Sequence, residues 1–525
     1  MESSDSVTNA DQIGKLIKYG TPLQALKGIF YDYFKETSIH GFKYVGEQKR
    51  SALERIIWLG AVIVSISTCS YLIYNIWDQR NHNPVLVASD GRLTPVWEIP
   101  FPMVTICPQI KIHNKTLNLT KEPTYLTEDE YQQYFLEFGF QTLCSIHGFD
   151  YNGKYSNEFI PNASKYIKLM SNVAPTFEEI MSGCFWKDKI NCKDLFDPVL
   201  TEDGICFSFN LIKSENYQSE LNNFDNNDRK IDWDLEHGYN EEALYFLEAF
   251  PFHAVGAGIT ESFVLNPTDK IEDEDNKCRT YSQDFKLIVQ TPGEVPQVKK
   301  NFINIPFDQD ILLSIKAQIM KTSEGLRHYT PERRQCYYQN ERYLRYYTKY
   351  TQASCELECL ANQTLAKCGC VKFSMPRALS HPICGWKKSS CADQVANNFV
   401  SWKFMAKTKG FGESACTGNC LPTCFDIKYK AEIELQTPRD GGTNTLFRLT
   451  SLTIKFEEDV VNGLIRTELY SITDFIANCG GLLGLFMGVS ILSLVELVYF
   501  FTVRLLLNLK ARRQIQDVKQ CWEKK

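Results

Sequence analysis

The chain has 525 residues, a formal net charge of −6, 44% hydrophobic residues and 19 cysteines. An acidic balance argues against a nucleic-acid partner, which would require a clustered basic surface. The sequence contains no HExxH, GxSxG or phosphate-loop motif and no paired metal ligands. We therefore expect neither an enzyme nor a bound metal or cofactor.

The N-terminal region, residues 1–55, begins MESSDSVTNADQIGKLIKYG and has no apolar signal-peptide core. An apolar segment follows, and we predict a first transmembrane helix over residues 56–77. As a helix, Ile56 to Ile76 would cover about 31 Å, which matches the hydrocarbon core of a bilayer. This segment must then direct insertion itself.

Residues 78–470 form the predicted extracellular domain, which is long enough for several packed subdomains. It contains 16 of the 19 cysteines, an even number that indicates disulfides in an oxidising compartment. It also contains all four predicted N-glycosylation sites: Asn114, Asn118, Asn162 and Asn362.

Ten of these cysteines lie within residues 336–424, and their spacing predicts a ladder of five bridges. Cys355 and Cys359 are four apart, and residues 416, 420 and 424 repeat that step, which predicts that each set lies along one helix face. Two antiparallel helices would then be joined by Cys355–Cys420 and Cys359–Cys416, with Cys336–Cys424 outside them. Residues 368 and 370 are two apart, as on an extended segment, and predict Cys368–Cys391 and Cys370–Cys384. Spacing leaves other pairings open, and zinc ligation is the competing interpretation.

The other extracellular cysteines give three further predicted pairs. The run CFWKDKINC predicts a small loop closed by Cys184–Cys192, and the strand-like runs PFPMVTIC and GICFSFN suggest Cys107–Cys206. Elimination leaves Cys144–Cys278. The alternating pattern LTSLTIKF predicts a strand that ends at Phe456, shortly before the second apolar segment.

We predict a second transmembrane helix over residues 471–503, followed by a C-terminal tail of residues 504–525. Within it, Gly480, Gly484 and Gly488 recur every four residues and favour close helix packing. A carboxylate at bilayer depth, Glu496, is unfavourable by roughly 2.5–3.5 kcal/mol unless it faces water or a partner. If Gly488 and Glu496 line one pore, residues 488–490 should be unwound, because eight helical residues turn about 80° away. The alternative is a glycine-packed helix pair with a structural glutamate.

Basic residues flank both apolar segments on the sides away from the extracellular domain, which predicts a multi-pass cell-membrane protein with both termini in the cytosol. They are Lys43, Lys49, Arg50, Arg55, Arg504, Lys510, Arg512 and Arg513.

Five motifs occur along the chain: His40-Gly41 in SIHGFKYV, the start of the first span at Arg55-Ile-Ile-Trp58, FPMVTIC, the ten-cysteine block and the second span with its GxS triplet. Together they resemble the degenerin/epithelial sodium channel family, and the resemblance covers essentially the whole chain. The segments CELECLANQTLAKCGCVKFSMPR and CLPTCFDIKY are most similar to the arthropod pickpocket branch. The nested cysteine pairing is similar to the thumb subdomain of the family.

The resemblance implies a fold with two transmembrane helices and a large disulfide-rich α+β ectodomain, similar to acid-sensing channels. It implies a trimer of identical or related subunits in contact with membrane lipid. The implied function is a pore-forming subunit of a sodium-preferring, amiloride-sensitive cation channel, gated through its ectodomain by an unknown stimulus or ligand. Na⁺ would be the permeant ion. The alternatives are a non-conducting two-span receptor or accessory subunit, or an ATP-gated channel, which the cysteine ladder fits poorly.

The resemblance also implies roles for residues along the pore. The triplet Gly488, Val489 and Ser490 would form the selectivity filter, with Val489 bulkier than the usual Ala or Ser. Glu496 would be the deep pore carboxylate, and Gly484 lies where amiloride acts in relatives.

Further implied roles lie at the two ends of the pore. Ala477 matches the small-residue gating position, and Asn478 replaces an aspartate of acid-sensing channels at the outer pore. His40 and Gly41 would lie near the cytosolic end of the permeation path. Acid-sensing channels also have a tryptophan just before the first ladder cysteine, where this chain reads PERRQC.

Overall fold

The computed structural model describes residues 30, 33–34, 36–47, 50–82, 85–112, 158–160, 163–187, 190–213, 229–240, 242, 249–270, 284–409, 420–439, 447–504, 506–507 and 510. The chain divides into two compact units. One comprises residues 1–86 with 468–525, and the other comprises residues 87–467. Each is described separately below.

The α-helices alternate with long strand-rich segments. Numbered in chain order, they are α1 Phe42–Gly46, α2 Ala52–His82, α3 Ala163–Val173, α4 Phe177–Ile180, α5 Pro331–Arg334, α6 Gln352–Cys368, α7 Trp386–Lys409, α8 Ile472–Met487 and α9 Ile491–Val498. A π-helix, Tyr499–Arg504, continues α9.

The strands lie mainly in the second unit. They are β1 Val85–Pro95, β2 Met103–Cys107, β3 Phe159–Ile160, β4 Met181–Trp186, β5 Ile190–Asn191, β6 Phe196–Thr201, β7 Gly204–Phe209, β8 Trp233–Asp234, β9 Gly238–Tyr239, β10 Phe263–Lys270, β11 Phe285–Gln290, β12 Ile303–Ile305, β13 Gln309–Thr322, β14 Ile383–Cys384, β15 Asp426–Pro438, β16 Phe447–Leu449, β17 Ser451–Phe456 and β18 Val460–Glu468. Short 3₁₀ turns occupy Val96–Glu98, Lys193–Leu195, Ile259–Glu261 and Glu324–His328.

Among the described residues of the first unit, one helix, α2, is by itself long and apolar enough to cross a membrane. It includes the predicted segment 56–77. A second candidate exists only if α8 and the helical stretch from Ile491 to Arg504 are one span, because they are bent by 75° at residues 488–490. The predicted unwinding of the second apolar segment therefore occurs at the expected triplet.

The second unit is organised around a nine-stranded sheet with the order β1-β18-β13-β17-β10-β4-β5, where β15 also pairs with β13 and β16 with β10. The long strand β13 pairs antiparallel with β15 and parallel with β17 and β18. A five-stranded sheet has the order β12-β11-β2-β7-β6.

Aromatic side chains fill the core of the second unit. The ring of Phe101 lies 4.7 Å from Trp186 and 5.4 Å from Phe456, and the rings of Phe209 and Phe263 are 4.3 Å apart. Rings at such distances gain favourable edge or offset contacts beyond the burial of their area. These residues come from several strands and from the segment before β2, so the core joins parts of the chain that are distant in sequence.

Six disulfides link the described cysteines, and all are among the predicted pairs: Cys107–Cys206, Cys184–Cys192, Cys336–Cys424, Cys355–Cys420, Cys368–Cys391 and Cys370–Cys384. Cys359 is also disulfide-bonded, while its predicted partner, Cys416, lies outside the described residues. Cys144 and Cys278 lie outside them too. Among the described cysteines, Cys69 and Cys479 are free.

Two local predictions about the ladder are wrong. Residues 420–424 are not helical, because Pro422 lacks an N–H and Cys424 donates its N–H to the Tyr337 carbonyl beside the Tyr337–Thr423 bridge. Cys368 is not on an extended segment but ends α6, where Gly369 adopts a left-handed φ of 74° as the C-cap. The disulfide pairs are nevertheless the predicted ones, since both geometries bring the same cysteines together.

The strand before the second apolar segment also differs from the prediction. The LTSLTIKF pattern does form strands, β16 and β17. However, β18 follows them and leads into α8. Strand prediction depends on an alternation of apolar and polar residues. In β18 this alternation is weakened by Gly463 and by the charged residues at the end of the strand.

A buried histidine gives the second unit a predicted acid sensitivity. His253 is 4% exposed, and its ring lies 5.1 Å from the Tyr239 ring in a tilted arrangement. Among the described residues, its Nδ1 has no hydrogen-bond partner. Burial, with a smaller effect of Lys187, lowers the pKa of His253 to about 4.

We expect acidification to destabilise this unit through His253. Between pH 4 and 6.5 the unfolded chain binds the proton more tightly, so the free energy of unfolding falls as the pH drops through that window, by no more than about 3 kcal/mol. Thermal melts of the full chain in detergent should show a flatter acid limb for His253→Phe. His237→Asn, at an exposed site, should keep the wild-type limb. Burial also raises the pKa of Glu294 to about 7, which acts in the opposite direction, so the variants must be compared with each other. Equal limbs in both variants would contradict the assignment.

Candidate functional site

The site is built around the break between α8 and α9. Gly488 adopts a left-handed φ of 65° and donates its N–H to the Gly484 carbonyl, and Val489 donates to the Leu483 carbonyl. Ser490 then caps α9, since its side chain accepts from the Ser493 N–H. The triplet 488–490 is therefore non-helical backbone within an apolar segment. These hydrogen bonds provide partners for backbone groups at the end of α8 and the start of α9.

The His-Gly pair of the N-terminal region packs directly against this break. The His40 N–H donates to the Met487 carbonyl at 3.0 Å. A Cβ added at Gly488 would lie 1.7 Å from His40 Nδ1, and one added at Gly41, whose φ is 88°, would lie 2.6 Å from Val62. Both glycines are therefore required by close approach as well as by backbone conformation. Three predicted site residues, His40, Gly41 and Gly488, are brought together.

The residues just before His40 continue along α9. Ser38 donates its hydroxyl to Glu496 Oε2 at 2.8 Å and its N–H to the same oxygen at 3.4 Å. The Ser38 and Ser493 hydroxyls are 2.9 Å apart. Further along, Arg504 donates to Glu36 at 2.9 Å. The predicted pore carboxylate is therefore hydrogen-bonded to a segment more than 450 residues away in sequence.

Aromatic contacts hold the start of this N-terminal segment. The rings of Phe30 and Phe501 are 4.8 Å apart, and those of Tyr33 and Phe500 are 5.4 Å apart. Tyr33 and Phe500 are buried. The segment that carries Ser38 and His40 is thus anchored at its beginning as well as at the helix break.

Helices α2 and α8 pack against each other over most of α8. The Trp77 and Phe475 rings are 5.6 Å apart, and Arg80 lies 5.7 Å from the Phe475 ring. Ser65 donates its hydroxyl to the Phe486 carbonyl at 2.7 Å. The contacts run from one end of α8 to the other, so any movement of α8 must involve α2.

The remaining predicted pore residues lie along α8. Ala477 and Asn478 are exposed in the single chain. A Cβ added at Gly484 would lie 3.9 Å from the Val489 carbonyl oxygen. A Cβ added at Gly480 would have no described atom within 4 Å. Ala477, Asn478 and Gly480 are thus exposed within the described part of one chain.

The predicted glycosylation sites are only partly described. Asn362 is exposed on α6. Asn114, Asn118 and Asn162 lie outside the described residues.

Sequence reasoning missed the polar contacts of Ser38, Ser493 and Glu36. Nothing local distinguishes these residues from other polar residues near helix ends. Their contacts depend on the N-terminal segment returning to the far end of the chain, which no spacing rule predicts.

The comparisons with known proteins agree with this arrangement. Residues 33–500 match the family model described as amiloride-sensitive sodium channel. The chain belongs to this family. The match begins in the N-terminal segment that contacts the helix break and ends within the π-helix after α9, so it includes His40, the helix break and Glu496.

Named proteins from Drosophila melanogaster and human are similar to this chain over nearly its whole length. Pickpocket protein 28 of Drosophila melanogaster is 26% identical over 507 residues, which cover 91% of this chain and 79% of the relative. Sodium channel protein Nach of Drosophila melanogaster is 24% identical, covering 92% and 89%. The human bile acid-sensitive ion channel is 24% identical, covering 90% and 85%. The predicted resemblance to pickpocket proteins is confirmed, and two of these three relatives carry ion-channel names.

Proposed function

We propose that this chain is a pore-forming subunit of a trimeric, sodium-preferring and amiloride-sensitive cation channel of the cell membrane. In this proposal α2 and the bent pair α8–α9 are two spans, both termini are cytosolic, and the strand-rich unit is extracellular. The supporting observation is the helix break at residues 488–490, where His40 packs closely against Gly488, in a chain of a sodium-channel family.

The proposed permeation path follows from the chemistry of the break. Three copies around one axis would present Gly488 carbonyls and Ser490 hydroxyls, which can replace part of the hydration shell of a small cation. Three Glu496 carboxylates would raise cation occupancy below this filter. Val489 places a bulkier side chain at the middle position of the filter. The preference for sodium over potassium therefore depends on this residue of the chain in particular.

Gating in the proposal moves the α8 helices apart near Ala477. The copies would meet in the closed state along α8 at Ala477 and Gly480, which are exposed in one chain. The strand that leads into α8 is β18, so ectodomain rearrangement would reach the pore through β18 rather than through the strand ending at Phe456. The stimulus is an extracellular ligand or another signal, and partner subunits of the same family are compatible with the same site.

The test bypasses the unknown stimulus by enlarging Ala477. Overpacking costs about 1–3 kcal/mol per site, so three copies of Ala477→Phe should favour the open state at least about tenfold and produce a standing current. Whole-cell recording with amiloride and with sodium replacement measures it, and Ile476→Phe, one helical position away, is the matched control.

An amiloride-blocked sodium current in Ala477→Phe alone is the expected result. No current from Ala477→Phe, despite confirmed surface delivery and co-expression with related subunits, would contradict the proposal and favour a non-conducting receptor or accessory subunit.

A further inference from the structure

The carboxylate of Glu496 is bonded on one oxygen only. Ser38 donates both its hydroxyl and its N–H to Oε2, at 2.8 and 3.4 Å. Among the described residues, none donates a hydrogen bond to Oε1. A carboxylate has two oxygens with about four lone-pair sites, so Ser38 makes the two oxygens chemically unequal.

We propose that Ser38 is a positioning residue that reserves Oε2 of Glu496 and leaves Oε1 as the oxygen that meets a passing cation. This inference rests on the proposed channel function. Its consequence is a lower affinity of the pore for divalent cations at unchanged negative charge, which favours the throughput of monovalent cations.

The chemical reason lies in how calcium binds carboxylates. Ca²⁺ takes six to eight oxygen ligands and often grips a carboxylate through both oxygens at 2.3–2.6 Å. Before Oε2 can coordinate Ca²⁺ together with Oε1, the Ser38 hydrogen bond to Oε2 must break. This bond is to a charged group and is therefore stronger than a hydrogen bond between neutral groups. A monovalent cation that passes with most of its water needs only the field of the charge and one oxygen.

Ser38 is held in place by contacts that do not involve Glu496. On one side, His40 donates its N–H to the Met487 carbonyl. On the other side, Glu36 pairs with Arg504 at 2.9 Å. Removing the Ser38 hydroxyl therefore takes away the shorter of the two bonds to Oε2 without releasing the segment, while the backbone N–H at 3.4 Å remains. Ser38→Ala thus tests the hydroxyl alone.

The functional experiment measures calcium block of the standing current in the Ala477→Phe background. Ser38→Ala should lower the half-blocking Ca²⁺ concentration about tenfold or more, as expected for the loss of a hydrogen bond to a charged group. Ser38→Thr keeps the hydroxyl and should restore the parent value. In a Glu496→Gln background, Ser38→Ala should have no further effect, because residues that act through one contact are not additive.

A second experiment tests the contact without any current. In Ser38→Cys/Ser493→Cys, two thiols replace hydroxyls that are 2.9 Å apart. After mild oxidation of isolated membranes and denaturation in SDS, which exposes the otherwise buried position 493, the double variant should bind no more PEG-maleimide than the parent, whereas each single variant should bind one more than the parent.

The two readouts separate the inference from the proposed function. A standing current with unchanged calcium block in Ser38→Ala would overturn the role of Ser38 and leave the channel intact. Continued reactivity of both thiols would overturn the contact itself. If the chain carries no current, the permeation role of Ser38 falls together with the proposed function.

Discussion

Gly488→Ala should lose nearly all current while the protein still reaches the cell surface. The new Cβ would lie 1.7 Å from His40 Nδ1 and 2.3 Å from its Cε1, far inside van der Waals contact. The backbone at residue 488 also has a φ of 65°, where alanine is disfavoured by roughly 1–2 kcal/mol. Together with overpacking of about 1–3 kcal/mol, each subunit would lose about 2–5 kcal/mol of its preference for this arrangement. Either residues 488–490 adopt another conformation, or His40 and Gly41 move away from them.

Whole-cell current normalised to surface biotinylation measures this effect. Gly481→Ala is the matched control, because its Cβ would meet no described atom within 4 Å and its backbone is helical. The double variant Gly488→Ala/His40→Ala removes the clash but keeps the unfavourable φ, so it should recover part of the current. Wild-type current in Gly488→Ala would show that the break and His40 are not part of the conducting state.

The cysteine ladder shows what sequence spacing can predict. Steps of four and two residues predicted Cys355–Cys420 and Cys370–Cys384 while leaving other pairings open, and the structure forms both predicted bridges. The same spacing could not distinguish a helix from an extended segment at residues 420–424. That choice depended on Pro422 and on a backbone partner, Tyr337, more than 80 residues away.

The helix break shows the same limit at the site. An angular argument predicted that residues 488–490 are not helical if Gly488 and Glu496 line one pore, since it combines that condition with the period of a helix. It could not predict that His40 lies against Gly488 or that Ser38 bonds to Glu496. These contacts join the two ends of the chain, and no local pattern encodes which N-terminal residue lies opposite which residue of α9.

A buried arginine in the second unit was also beyond sequence reasoning. Arg334, in the PERRQC segment, is 1% exposed. Its guanidinium donates to the backbone carbonyls of Tyr329 at 2.7 Å and Cys336 at 3.1 Å and to the carboxylate of Glu341. It also lies 4.5 Å from the Tyr338 ring. One side chain thus ties the turn before the first ladder cysteine to the segment after it.

Arg334→Met should destabilise the second unit by about 3–5 kcal/mol, because it leaves buried carbonyls and a carboxylate without their donor. Arg334→Lys keeps the charge but not the planar fork and should lie between methionine and wild type. Arg345→Met, at an exposed site in the same segment, should change stability by less than about 0.5 kcal/mol. Thermal melting of the full chain and surface biotinylation measure the series.

The stabilities of the three variants show what the segment before Cys336 requires of residue 334. If this position needs only bulk, methionine and lysine should be equally tolerated. If it needs donors in fixed directions, lysine should rescue only part of the loss and methionine none. The contacts of Arg334 with two backbone carbonyls and Glu341 favour the second result, and a melt of Arg334→Met at the wild-type temperature would contradict it.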